Sequence, residues 1–240
     1  MKIALDATSE VGLRAGRLLL GEADLETLGV LGGPVTTGDR RVRRIDEPAG
    51  FDVFVSDDPQ LERIGEAIGQ QIPVVAWVDA DDLGELNPRI TMLTGANLGT
   101  GIARSLLARE TTLHQHGAAL LAWTEPGSPL RSGEPVTFPD PVGARWGRIR
   151  RRVGTVTEVV VPVDDEWAGA VVRLTDAGVT RILGIADQAT HLEALALTAG
   201  AVAVAGGAYG AGRRRPEDAP GEYLLAALRA GLDVASFTAA

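Results

Sequence analysis

The first twenty residues constrain the fold more than any other stretch. An apolar run, Ile3-Ala4-Leu5, gives way to a polar turn, Asp6-Ala7-Thr8-Ser9-Glu10. A helical pattern follows, with Val11, Leu13, Leu18, Leu19 and Leu20 among its apolar positions. A strand, a tight turn and a helix at the start of a chain rich in Ala, Gly and Val is the opening of an α/β domain built on a parallel sheet.

The pattern repeats. Thr27–Leu31 reads as a second strand ending at Gly32-Gly33-Pro34, Arg41–Ile45 as a short edge strand, and Phe51–Val55 as a strand ending in Ser56-Asp57-Asp58-Pro59. Leu61, Ile64, Ala67 and Ile68 mark one face of a helix. Pro73 precedes a strand at Val74–Trp77, Asn87-Pro88 closes an acidic loop, and Ile90–Leu93 is a further strand. Gly95–Gly101 then leads into a helix running to about His114. Strands alternating with helices at this spacing predict a mostly parallel sheet with right-handed crossovers.

From Ala118 the texture changes. Ala119–Trp123 reads as a strand, residues 125–147 are rich in Pro and Gly, and Val153–Pro162 is β-branched enough for one long strand. The expectation continues with a helix over Trp167–Asp176, a strand at Ile182–Ile185, a helix over Gln188–Thr198 and a strand at Ala201–Ala205. A last helix starts at Pro220. The expected fold class is α/β: an N-terminal Rossmann-like, mostly parallel sheet over residues 1–117, followed by an α+β domain over 118–240.

Composition narrows the chemistry. The chain of 240 residues is 45% apolar and 23% charged, sufficient for a sizeable core, while only 4% of residues are aromatic, so the core is aliphatic. The net charge of −9 argues against a broad nucleic-acid-binding face. Lys2 is the only lysine and cysteine is absent, which excludes mid-chain Schiff-base chemistry, thiolate metal sites and cysteine nucleophiles. No stretch reaches the ~18 apolar residues of a membrane span, and Asp6 and Glu10 interrupt any leader-like run. The expected setting is the cytoplasm, away from membranes.

The turn at 6–12 is the place to look for a ligand. A dinucleotide-binding turn uses glycines so that backbone approaches the pyrophosphate, and the helix N-terminus supplies amide donors and partial positive charge. Here only Gly12 stands where such a pattern places its last glycine. Asp6 and Ser9 occupy the two earlier positions. Thr8 and Ser9 still offer hydroxyls. Two readings are open: the cofactor binds in an altered way, or the site has lapsed and the fold remains.

Three stretches carry a resemblance: the Lys-Ile-Ala-Leu opening with its degenerate turn, the strand ending in Ser56-Asp57-Asp58-Pro59, and Thr94-Gly95-Ala96-Asn97-Leu98-Gly99-Thr100-Gly101. Over about residues 1–117 the chain resembles the two-domain NAD(P)-dependent oxidoreductases that include dihydrodipicolinate reductase and homoserine dehydrogenase. The resemblance implies NAD or NADP as cofactor. It implies that Thr8, Ser9, Glu10, Val11 and Gly12 meet the pyrophosphate, that Ser56 and Asp57 lie near the nicotinamide, and that Asn97 faces the interdomain cleft. It also implies a homodimer built through the second domain's sheet. The chain departs from the family in lacking a His-His stretch and any mid-chain lysine, which leaves the specific activities of both relatives without their residues.

Other constellations admit plainer readings. His114 and His116 read as solvated histidines at a helix end. Asp187 and His191 form an i,i+4 pair, either a surface interaction or an acid–base pair. Arg145, Arg148, Arg150, Arg151 and Arg152 read as a charged strand, with a phosphate or carboxylate site as the alternative. Arg40, Arg41, Arg43 and Arg44 offer contacts for a 2′-phosphate, though they lie eight or more residues past the second strand's end, and Arg213-Arg214-Arg215 reads as an exposed loop. Asp79, Asp81, Asp82 and Glu85 read as a solvated acidic loop, with no metal site expected. Neither a nucleophile elbow nor a phosphate loop ending in Gly-Lys-Ser/Thr occurs, and no catalytic residue is assignable. The sequence thus predicts an NAD(P)-dependent oxidoreductase for a small amino-acid-like or carboxylate substrate, or a non-catalytic Rossmann-like protein with a lapsed site, used for ligand sensing or assembly.

Overall fold

The computed structural model describes residues 1–33, 38–57, 61–79, 89–114 and 116–239. The acidic residues Asp81, Asp82 and Glu85, the Asn87-Pro88 turn, and Asp58 and Pro59 lie outside them.

Two seven-stranded sheets form the molecule. The first contains β1 (Lys2–Asp6), β2 (Thr27–Leu31), β3 (Val42–Arg44), β4 (Val53–Ser56), β5 (Val74–Ala76), β6 (Thr91–Leu93) and a late strand, β13 (Gly212–Arg214). Its spatial order is β13-β6-β5-β4-β1-β2-β3, every pair parallel. The run β3-β2-β1-β4-β5-β6 is the doubly wound Rossmann order, which places the crevice between β1 and β4 at the carboxyl ends of the strands. Two helices cross between strands: α1 (Glu10–Leu19) and α2 (Leu61–Gly69). After β6, a π-helical segment, Leu98–Ala103, runs directly into α3 (Arg104–Leu113).

The second sheet holds β7 (Ala118–Pro126), β8 (Glu134–Thr137), β9 (Ala144–Val153), β10 (Val156–Val163), β11 (Trp167–Asp176), β12 (Val179–Gln188) and β14 (Ala235–Ala239). It is ordered β14-β12-β11-β7-β10-β9-β8, with β7 and β10 parallel and the other neighbours antiparallel. The α/β class and the Rossmann-like first sheet are as the sequence predicts.

Between the sheets lies α4 (Ala189–Ala205), which packs on α1, β4 and β5 on one side and on β11 and β12 on the other. α5 (Pro220–Arg229) flanks it. Thus α4 and β13, both within the span assigned to the second domain, return to the first sheet. Helices apolar all round belong in such interiors. Gly200 permits the close approach: a Cβ there would sit 2.8 Å from Val75 Cγ1 and 3.1 Å from Leu93 Cδ2.

Four segments differ from their sequence reading. Trp167–Asp176 is the strand β11, not a helix. Its neighbours on both sides and its apolar residues on both faces overrule the helix propensity of its alanines and leucine. Ala201–Ala205 continues α4 instead of forming a strand. The Ala-Val alternation there mimics period two, but with every side enclosed no periodicity is needed. Val153–Pro162 is broken at Gly154, whose φ of +57° turns the hairpin between β9 and β10. The Arg213-Arg214 loop is the strand β13, paired with β6 through Arg213↔Met92 and Arg214↔Leu93.

Gly200→Leu is expected to overpack the α4 contact with β5 and cost about 1–3 kcal/mol. Chemical denaturation reads this as a lowered midpoint; an unchanged midpoint would mean that α4 does not sit against β5.

Candidate functional site

β1 and β4 run side by side and in register, Asp6 opposite Ser56. Just past their carboxyl ends, the turn into α1 meets Asp57. Ser9 is the N-cap of α1, its Oγ accepting from the amides of Val11 at 3.1 Å and Gly12 at 3.4 Å. The Asp57 carboxylate sits on the same turn. Its Oδ2 accepts from the Ser9 amide at 3.0 Å, the Ser9 hydroxyl at 2.5 Å and the Gly12 amide at 2.9 Å. Its Oδ1 accepts from the Thr8 hydroxyl at 3.2 Å and the Thr8 amide at 3.4 Å. A Cβ on Gly12 would lie 2.3 Å from Oδ2, so glycine is what lets the carboxylate reach the helix end.

This is anion binding by a helix N-terminus, with charge-assisted bonds and the helix dipole acting together. The donor set fits a group of phosphate type; the anion it holds is the chain's own Asp57, 7% exposed. The neighbouring Asp6 is fully buried and pairs with Arg63 of α2. That guanidinium explains how a carboxylate is tolerated where a nucleotide-binding turn has its first glycine.

The other predicted site residues connect to this edge. Glu10 opens α1 and, with Leu13, Arg14, Arg17, Leu18 and His191, lines an open cavity of about 550 Å³. Val11, the next residue, is half-buried. The backbone carbonyl of Ser56 accepts from the Trp77 amide at 3.1 Å. Asn97 donates through Nδ2 to the Trp77 carbonyl at 3.0 Å, while its Oδ1 caps the π-helical segment by accepting from the Thr100 amide at 2.9 Å. Thr8 to Gly12 and Asp57 therefore form one cluster, and Ser56 and Asn97 meet through Trp77.

Sequence reasoning missed Glu193. It is the sole carboxylate on α4, and its Oε2 accepts from the Trp77 indole at 2.7 Å and from the Leu98 amide at 3.1 Å. Its Oε1 has no protein partner among the described residues. Burial pushes this carboxyl up to about 7; the two donors pull it down, and Glu125 of β7 raises it further. The signal was present as one acidic residue inside an otherwise apolar run, Leu192 to Ala205.

The remaining candidates are mostly held in structural pairs. Arg41 bonds Asp39 and the Leu20 carbonyl at the far end of α1, away from the carboxyl edge. His114 pairs with Glu110 at 3.6 Å, and His116 lies beyond the helix end. His191 lies 3.8 Å from Asp187, which precedes α4. Arg151 and Arg104 hold the buried Glu158 from opposite sides at 2.7 and 3.1 Å.

Two solved structures share this fold of a Rossmann-like sheet joined to a second, mostly antiparallel sheet. Dipicolinate-bound dihydrodipicolinate reductase from Paenisporosarcina sp. TG-14 aligns with a TM-score of 0.57 at 10% identity, over 91% of this chain and 98% of that one. Homospermidine synthase from Legionella pneumophila, in complex with NAD, aligns with a TM-score of 0.60 at 9% identity, over 99% of this chain and 91% of that one. At such identities the likeness is one of fold. No protein-family model matches the sequence, and no curated protein matches it. Among the described residues no helix is long and apolar enough to cross a membrane.

The raised carboxyl of Glu193 gives a pH signature. The folded state keeps a proton that the unfolded chain releases from its ordinary value of 4.5, so this group makes stability fall as pH rises from about 4.5 to about 7. Glu193→Gln keeps an acceptor and is expected to flatten that slope and to remove a pH-dependent change in Trp77 fluorescence. An identical slope in the variant would contradict the assignment.

Proposed function

We propose that the protein is an NAD(P)-dependent oxidoreductase acting on a small amino-acid-like or carboxylate substrate, with the dinucleotide's diphosphate taking the place of the Asp57 carboxylate on α1. The observation that carries this reading is the set of converging donors on Thr8, Ser9 and Gly12, at the carboxyl edge of a Rossmann sheet and already holding an anion. The fold shared with a reductase and with an NAD-bound synthase supports it. When bound, the cofactor would supply hydride chemistry; Ser9 and Gly12 would hold its diphosphate, and Ser56 and Asn97 would lie toward its nicotinamide. We read residues 1–117, with the returning strand β13, as the cofactor domain and the second sheet as the substrate and assembly domain, in a cytoplasmic homodimer. The edge strand β14, where Phe237 is 61% exposed, is the surface we assign to that dimer.

A second reading has its own observation. Asp57, Asp6 and Ser9 together turn the cradle into a self-satisfied cap, which favours a non-catalytic Rossmann-like protein with a lapsed cofactor site, serving ligand sensing or assembly.

Titration with NADH and NADPH, followed by fluorescence and melting temperature, separates the two. The enzyme reading expects saturable binding of one nucleotide, and a gain of about tenfold in affinity, or about 1.4 kcal/mol, in Asp57→Ala. A ligand at ~100 times its dissociation constant stabilises by about 2.7 kcal/mol. No binding to the native chain at millimolar nucleotide, with binding appearing only in Asp57→Ala, is the outcome of a lapsed site.

A further inference from the structure

On the second sheet, beside the junction with the first, lies a cavity of about 360 Å³ lined by Glu125, Arg148, Ile149, Arg150 and Val160. Its two arginines are unequal. Arg150 is pinned: its guanidinium lies 5.5 Å from the centre of the Trp123 ring and 3.9 Å from a Glu125 oxygen. Arg148 makes no hydrogen bond or ion pair among the described residues. Of the strand's other arginines, Arg151 pairs with Glu158 on the same face and Arg145 with Asp165 on the other.

The register explains why two guanidiniums converge. Arg148 stands opposite Val160 and Arg151 opposite Glu158, with an irregularity between Glu158 and Val159. Arg150 falls in that irregularity, one residue out of step with the pairing. The extra residue sends its side chain to the Trp123 side, where Val160 and Arg148 already face. A bulge that re-aims a side chain beside a cleft is a recurrent device of binding sheets.

Behind the cavity the buried Trp123 packs toward the first sheet. The Trp123 indole donates to Glu125 Oε1 at 3.0 Å and lies under Gly99, where a Cβ would come within 2.5 Å of the indole nitrogen.

We propose that this cavity is a binding site for a small carboxylate anion, with Arg148 and Arg150 receiving the carboxylate. The proposal rests on the oxidoreductase reading for its substrate class and gives that substrate a place. A free, planar guanidinium beside a pinned one matches the fork geometry of carboxylate recognition. Arg148 supplies the mobile donors and Arg150 a fixed orientation.

The test is calorimetric titration of the full chain, without nucleotide, with pyruvate and 2-oxoglutarate, using methyl pyruvate as the uncharged control. Saturable binding of a 2-oxo acid, absent for methyl pyruvate and weakened at least tenfold in both Arg148→Ala and Arg148→Gln, is expected. Arg148 is exposed and unpaired, so these variants keep the fold, which unchanged melting temperatures verify. Absence of binding at millimolar 2-oxo acid, or binding indifferent to Arg148, overturns the proposal. Because no nucleotide is present, 2-oxo acid binding by a chain that rejects NADH and NADPH would uphold the site while ending the oxidoreductase reading. The reverse pattern would end only the site.

Discussion

A helix that is apolar on every side has to be enclosed, and the packing of this protein follows from enclosing α4. Between Leu192 and Ala205 nearly every residue is buried, against the Rossmann sheet on one side and the second sheet on the other. Burial at about 25 cal/mol per Å² of apolar surface makes such a helix the largest shared core of the two layers. The sheets are therefore held in one relation by a common filler, and the crevice at the carboxyl ends of β1, β4 and β5 opens against the first turns of α4. Glu193 is at that crevice because it sits where α4 emerges from between the sheets.

The same geometry governs the charges. Among the described residues the buried carboxylates each have a specific answer: Asp6 has Arg63, Glu110 has Arg181, Glu158 has Arg104 and Arg151, and Asp57 has the N-terminus of α1. Removing one partner of such a group leaves a buried charge uncompensated, which is costly, whereas the intact pair contributes little net stability. Asp57 differs from the others because its partners are backbone amides and hydroxyls that serve any anion of similar size. That interchangeability lets one set of donors act either as a helix cap or as a diphosphate cradle.

How much of this was legible in the sequence depended on the range of the interaction. The opening strand–turn–helix, the strands at 27–31 and 53–56 and the helix from Pro220 carry local periodicity or capping residues, and the fold class followed from them. Where two faces were buried the local pattern misled: Trp167–Asp176 took its strand form from β7 and β12, and Ala201–Ala205 its helical form from enclosure in α4. β13 left no local trace because its partner, β6, lies far earlier in the chain. For the site, the degenerate turn was visible, and so were Asp57 and Ser9 as residues. Their bonding to each other was not, since nothing local ties position 57 to positions 8–12. Glu193 was a legible oddity in an apolar run, but Trp77 and Leu98, which give it meaning, are distant in sequence.

The central claim is that the amides of Ser9 and Gly12 form an anion cradle in which a dinucleotide replaces Asp57. Determining the crystal structure at saturating NADH or NADPH tests it directly. The account predicts diphosphate oxygens within hydrogen-bond distance of both amides, with the Asp57 carboxylate turned out of the cradle. A structure in which Asp57 keeps its bonds to Thr8, Ser9 and Gly12, and the nucleotide is absent or bound elsewhere, would contradict it.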